Sequence, residues 1–526
     1  KYASSDYTKQ GEYSSSKSRS WRYTMNTGIA YALSLNDHNL TFNGRAEIRS
    51  TSSNTESFVA TGFPKGVGAI PSFAYSFKEN STPGYSESIS RGVSFLGTFN
   101  YNYKYRYLFD ASLSSDGSTS FGRDKKFQTF WSVGAGWNVS KESFAKDWDW
   151  MQELKLRGSF GSNGNQNVSN LTSNVYSYYA GSDIFGTASY LSGYANPNLE
   201  WQVVKKTSVG IDLMFWDNRL LLTMDYYHTN TNPLVVSIQQ KPSSGLSTLP
   251  INLGHLNTNG FEFNVSWYAI RNLEKRIMLN FRLNGNTYKS VYGGFGEALA
   301  NLNDAYKKDS SVDSKLNVNS MIQYQDGESP TALFAVRSLG IDPATGKEVF
   351  LTKNGTPTFD YNADDRVKIA DTNPKIRGVF GISFTYKNLQ ASVNLRYNLG
   401  SFAFNSALFN KVENISASNI AYNQDKRALY SRWQNAGDVS QFKGISLTTQ
   451  TPISSRFVQR DNYLRGESAR ISWDFSRDEW IKRLFLKDLR FNVSFNDFFD
   501  LSEMKRERGT DYPFQRAISF GLSARF

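Results

Sequence analysis

The chain has 526 residues, of which 39% are hydrophobic and 15% aromatic, with 30 Tyr, 38 Phe and 11 Trp. It is too long for one ordinary soluble domain and no linker divides it. It has no apolar run long enough for a transmembrane helix, and no cysteine for disulfide, Cys-metal or Cys-nucleophile chemistry. The net charge of +12 comes from Lys and Arg dispersed along the chain. Nucleic acid is therefore not an expected partner; lipopolysaccharide, an anionic substrate or plain solubilising loops fit the charge better.

Residues 1–10 lack the apolar core of a signal peptide, so residue 1 is not expected to begin the gene product. From Trp21 to Leu35 the apolar residues Trp21, Tyr23, Met25, Ile29, Tyr31, Leu33 and Leu35 share one face of a strand. After Asn36-Asp37-His38 a second strand runs over 39–50, with Leu40, Phe42, Ala46 and Ile48 on one face and Thr41, Asn43, Arg45 and Glu47 on the other. A very short turn joins the two as a hairpin. The pattern repeats near 92–103, 105–114, 127–138, 154–162, 203–215, 219–229, 259–270, 277–288, 378–387, 390–399, 463–475, 489–498 and 517–526. In the last of these, Ile518, Phe520, Leu522, Ala524 and Phe526 alternate with Ser519, Gly521, Ser523 and Arg525.

The connections alternate in length. Short ones fall at 36–38, around 104, and at 216–218, 271–276 and 388–389. Moderate ones with a helix-like apolar pattern span 139–153 and 476–488. Long ones span 51–91, 163–202, 230–258, 289–377 and 400–462. Strands of about ten alternating residues with short turns on one side and long loops on the other spell an all-β, transmembrane antiparallel barrel of an outer membrane. Bacterial single-chain barrels have even strand numbers, so fifteen strands predict at least one more upstream. The alternation also predicts a lipid face holding Phe42, Ile48, Leu220, Leu222, Phe281, Leu395, Phe491 and Phe520. Thr41, Arg45, Thr223, Arg282, Arg396, Arg490 and Ser519 should face the lumen.

The segment RYLFDASLSSDGSTSFGRDKKFQTFWSVGAGWNVSKESF (106–144) resembles the barrel of SusC/RagA-type TonB-dependent transporters. LKLRGSFGSNGNQ (154–166), the hairpin at 196–235, GHLNTNGFEFNVSW (254–267), FDYNADDRVKIADTNPK (359–375) and DNYLRGESARISW (461–473) continue the resemblance in order. Two departures are Trp131, where that family usually has Pro, and Asn362-Ala363-Asp364-Asp365, which replaces a Gly-bearing acidic turn. The resemblance implies a barrel of about 22 strands, of which this chain supplies 15–16, filled by a plug that lies outside this sequence. It implies an active importer of a bulky nutrient such as an oligosaccharide or peptide, located in the outer membrane of a Gram-negative bacterium. Its implied partners are a SusD-like surface lipoprotein lid and the TonB-ExbB-ExbD system acting through the plug. A passive porin or adhesion barrel is the alternative; an upstream plug with a TonB box would separate the two.

No catalytic residue is assigned and no enzymatic activity is expected. His38, His228 and His255 lack ligand spacing, no Gly-x-Ser-x-Gly elbow occurs, and the GAGW at 134–137 lies within a strand. No resident cofactor is expected, with calcium the one ion the spacing admits. Asp360, Asn362 and Asp364 have the start of a calcium loop and Asp371 falls twelfth, but the sixth-position glycine and twelfth-position glutamate are missing. An acidic turn that organises the loop is the other reading. Tyr176, Tyr178, Tyr179, Tyr190 and Tyr194 in loop 163–202, with Trp433 in loop 400–462, are candidates for stacking on a substrate, against ordinary packing between loops.

Overall fold

The computed structural model describes residues 11–525 except 65, 67–69, 80, 122–124, 166–174, 179–188, 194–195, 240–247, 297, 299–302, 304–320, 322, 418–419, 421–423, 447–448, 484 and 506–515. Among the described residues, fifteen strands of the main sheet run antiparallel, each paired with its neighbours along the sheet. They are β1 Glu12–Leu35, β2 His38–Thr61, β3 Gly84–Tyr103, β4 Tyr107–Ser118, β5 Phe127–Asn138, β6 Met151–Asn165, β7 Gln202–Phe215 and β8 Leu220–Thr231. They continue with β9 His255–Asn272, β10 Ile277–Gly293, β11 Ile376–Tyr386, β12 Leu389–Leu399, β13 Tyr463–Asp474, β14 Asp488–Ser502 and β15 Ala517–Arg525. Ser76–Phe77 adds a short pairing to the end of β2.

Short turns close one end of this sheet. Asn36, Lys104, Tyr105, Trp216, Asp217, Asn218, Arg276 and Lys387 all take positive φ there. Left-handed residues let tight hairpin turns follow the right-handed twist of their strands. The moderate connections lie at the same end. One holds two 3-10 turns, Val139–Lys141 and Ser143–Ala145; the other holds the helix Glu479–Arg483.

The register carries one apolar face across the sheet. Phe42 faces Phe99, Leu222 faces Val265, Phe281 faces Ile382, Phe380 faces Leu395, and Phe491 faces Leu522. Directly paired residues point the same way, so every residue predicted for the lipid side falls on this face. Thr41, Arg45, Thr223, Arg282, Arg396, Arg490 and Ser519 all fall on the other.

Some boundaries differ from the sequence reading. Loop 51–91 contracts to 62–83, because β2 continues to Thr61 and β3 begins at Gly84. β1 starts at Glu12, and Ser14, Ser16, Ser18 and Ser20 pair along the outer part of β2. These polar stretches show no alternation, yet the backbone ladder continues through them. At 24 residues, β1 and β2 are about twice as long as a membrane crossing requires. In β13 a bulge lies between Gly466 and Ser468. The extra residue, Glu467, meets Arg396 on the polar face, as bulges re-aim side chains.

Candidate functional site: the polar face and the outer loops

The polar face is laced with ion pairs. Arg157 on β6 reaches Asp212 on β7 and Asp225 on β8, each at 2.9 Å. It crosses Gly210, the direct partner of both Arg157 and Asp225, where a Cβ would strike the Asp225 carboxylate. Arg465 pairs with Asp500 at 3.1 Å and stacks on Tyr463. Between β8 and β13 this face opens into a recess of about 620 Å³, lined by Thr223, Asn264, Asn284 and Arg396 among others.

At the long-loop end, the described residues of 321–371 and 400–462 fold together. Ala332–Ala335 pairs with Val367–Asp371, Arg337–Ile341 with Glu348–Leu351, and Phe402–Phe404 with Val458–Arg460. Leu333 and Ala335 from the first loop pack with Leu408, Val412, Phe442 and Phe457 from the second in one apolar core. Ser455 N–H donates to Val336 C=O at 2.9 Å, tying the loops by their backbones.

Beside that core Arg456 bridges two buried carboxylates, Glu413 at 2.8 Å and Glu348 at 3.0 Å. Thr451 and Ser454 hydroxyls donate to the same two carboxylates. The Arg432 guanidinium donates to the carbonyls of Ala428, Val412, Glu413 and Lys443, and its burial holds its pKa below the ordinary arginine value.

The sequence candidates are dispersed. Tyr176 and Tyr178 lie on strand Val175–Tyr178, which pairs with Ser189–Gly193 and so with Tyr190. Tyr179 and Tyr194 lie outside the described residues. Trp433 belongs to the module over 321–371 and 400–462, and its indole N–H donates to Pro343 C=O at 2.8 Å. One part of its ring lies against Gly346. It also lines a recess of about 350 Å³ with Phe350, Phe359, Ile445 and Pro452. The Lys443 ammonium beside it is pushed below its usual pKa by burial.

In the acidic turn, Asn362 caps the 3-10 segment Ala363–Asp365 by accepting from Asp364 N–H at 2.9 Å. The Asp360 N–H donates to Thr358 at 3.0 Å. Asp371 ends a strand and accepts from the Thr331 hydroxyl at 2.6 Å and the Asn373 N–H at 2.8 Å. Among the described residues, no three His, Asp or Glu side chains are grouped to hold a metal. His38 stacks on Tyr101, and His228 hydrogen-bonds Asn259.

The sequence reading missed the core shared between the two loops, and it missed Trp201. Trp201 stacks on Phe121 at 4.0 Å and donates to Lys125 C=O, tying both residues to the start of β7.

Comparison with known proteins matches this architecture. The family described as TonB dependent receptor-like, beta-barrel, matches residues 1–327, more than half of the chain. "TonB-dependent receptor P3" of Formosa agariphila is 26% identical over 436 residues, covering 80% of this chain and 41% of that protein. "TonB-dependent receptor SusC" of Bacteroides thetaiotaomicron is 25% identical over 459 residues, covering 82% and 44%. The chain thus spans less than half the length of these two relatives. Among solved structures, the "RagAB peptide transporter" superposes with a TM-score of 0.80 at 19% identity, over 94% of this chain and 53% of that one. The chain belongs to the TonB dependent receptor-like β-barrel family of outer-membrane proteins and is SusC/RagA-like.

Proposed function

We propose that this chain supplies most of the barrel wall of an active, TonB-coupled importer. The cargo is a bulky nutrient, an oligosaccharide or a peptide, and a SusD-like surface lipoprotein covers the outer loops. The remaining strands and a plug complete the barrel, in keeping with the half-length coverage of the relatives. One observation carries the reading: the described residues of 321–371 and 400–462 build a module with its own core at the end of the sheet opposite the short turns. Long loops are usually functional, and a preformed surface at the mouth suits docking of a lid and capture of cargo.

The test is nutrient uptake by cells producing the whole protein, measured with TonB present, with TonB deleted, and with the proton-motive force collapsed. Uptake should stop in the last two conditions, and the lipoprotein should co-purify with the barrel. Uptake that persists in all three would establish a passive pore instead.

A further inference from the structure

Across β8 to β13 one rung of the polar face reads Asp225, Glu262, Asn286, Arg377, Asn398 and Tyr463. Each is the direct cross-strand partner of the next, and all six line the 620 Å³ recess. The rung is polarised, with two carboxylates at one end, a guanidinium towards the other and carboxamides between and beyond. Asp225 is already neutralised by Arg157. Among the described residues Glu262 has no ion-pair partner, and its side chain is exposed. Arg377 spends its Nε–H on Asn286 at 3.1 Å and lies over Tyr288, which among the described residues leaves the donors of its two terminal nitrogens.

Direct partners in an antiparallel sheet lie about 5 Å apart, so Glu262 and Arg377, two steps apart, sit about 10 Å from each other. An extended chain spans roughly 3.5 Å per residue. A cation and an anion about three residues apart on an extended peptide match that spacing. Asn carboxamides both donate and accept, as peptide groups do. A neutral sugar would lie beside Glu262 and Arg377 without pairing either charge, and so would gain nothing from the rung's charge complementarity.

We propose that this rung recognises an extended, doubly charged peptide segment. Glu262 takes the ammonium, Arg377 takes the carboxylate, and Asn286 holds the peptide groups between them. The proposal rests on the importer reading and adds the substrate class, with Glu262 and Arg377 as the specificity-determining residues.

The test measures binding of unblocked trialanine to the whole protein purified from outer membranes, beside N-acetylated trialanine, trialanine amide and maltotriose. Glu262→Gln should weaken trialanine about tenfold, as one charge-assisted contact implies, and should leave the N-acetylated probe unchanged. Arg377→Gln should weaken trialanine similarly and leave the amide unchanged. Maltotriose should bind more weakly than trialanine and respond to neither substitution. Trialanine binding that ignores both substitutions overturns the proposal. So does maltotriose binding at least as tightly as trialanine, or equal losses for blocked and unblocked peptides. If the substitutions instead expose another segment of the protein to protease while trialanine binding holds, the rung is an internal seam and the proposal fails. If trialanine responds as expected but uptake is indifferent to TonB, the ladder stands and the importer reading falls.

Discussion

The sheet and the outer-loop module handle their apolar residues in opposite ways. In the sheet Ile29, Phe520 and Leu522 are 80%, 72% and 71% exposed, whereas in the module Phe457 and Val412 are fully buried. The sheet turns its apolar face outward and relies on backbone ladders and a lipid solvent. The module hides its apolar side chains from water, as a soluble domain does. One chain thus carries two kinds of stability, and perturbations aimed at one should spare the other.

The sharpest way to break that separation is through the module's buried charges. Replacing Arg456 by Met strands Glu348 and Glu413, whose side chains are 4% and 0% exposed. Removing one partner from a buried ion pair costs about 3–5 kcal/mol. The expected outcome is new cleavage within 400–462 by protease added outside the cell. The heat-modifiable migration of the folded barrel on gels should stay as in the parent. Adding Glu348→Gln and Glu413→Gln should restore much of the protection. Loss of the folded-barrel band in the single variant would show that module and sheet unfold as one unit. Deletion of 400–462 is a blunter probe, since it also uncovers Leu333 and Ala335 of the neighbouring loop.

The converse probe acts on the sheet. Leu395, in β12, sits on the apolar face opposite Phe380. Leu395→Arg should cost about 2–4 kcal/mol, the penalty for Arg on the lipid face at mid-bilayer. Asn394→Arg, one residue away on the polar face, should cost far less. Urea unfolding in liposomes reads both, and equal costs would show that the two faces are not solvated differently. Protease resistance of the outer loops should persist in Leu395→Arg for as long as the sheet holds.

What the sequence showed follows the same division. All fifteen strands of the sheet were legible, because lipid on one side and polar surroundings on the other stamp a period of two on every strand. The facing of Phe281 against Arg282, or of Leu395 against Arg396, follows from that period alone. The outer extensions of β1 and β2 were not legible: runs such as Ser14 to Ser20 meet polar surroundings on both faces and lose the alternation while keeping the ladder. The module was not legible either. Its core joins Leu333 to Phe457 across more than a hundred residues, and no local pattern records such a contact. The Glu262–Arg377 rung needed the register, since its members come from separate strands and only pairing sets them side by side. Trp433 was picked out by its chemistry, but only the fold reveals its bond to Pro343.

The smallest expected effect lies at the short-turn end and needs only a change of pH. Glu142 follows the first 3-10 turn after β5. Its carboxylate accepts from the Tyr107 hydroxyl at 2.7 Å and the Trp137 indole at 3.1 Å, and pairs with Arg106 at 3.3 Å. Those hydrogen bonds, Tyr107 first and then Trp137, with Arg106 adding to them, hold its pKa below the ordinary glutamate value of 4.5. A carboxylate whose folded pKa lies below its unfolded one stabilises the fold above the unfolded value. It loses that contribution as pH falls through the folded value. The clamp joining β4, β5 and this turn should therefore be whole at neutral pH and loosen only below about 4.5. The indole N–H resonance of Trp137 should report the transition, and Glu142→Gln should abolish it while the 3-10 turn stays folded. A midpoint at or above the ordinary glutamate value, or a transition that survives Glu142→Gln, would mean that the carboxylate does not hold this corner. A simultaneous change in proteolysis of the outer loops would show that the two ends of the molecule are coupled after all.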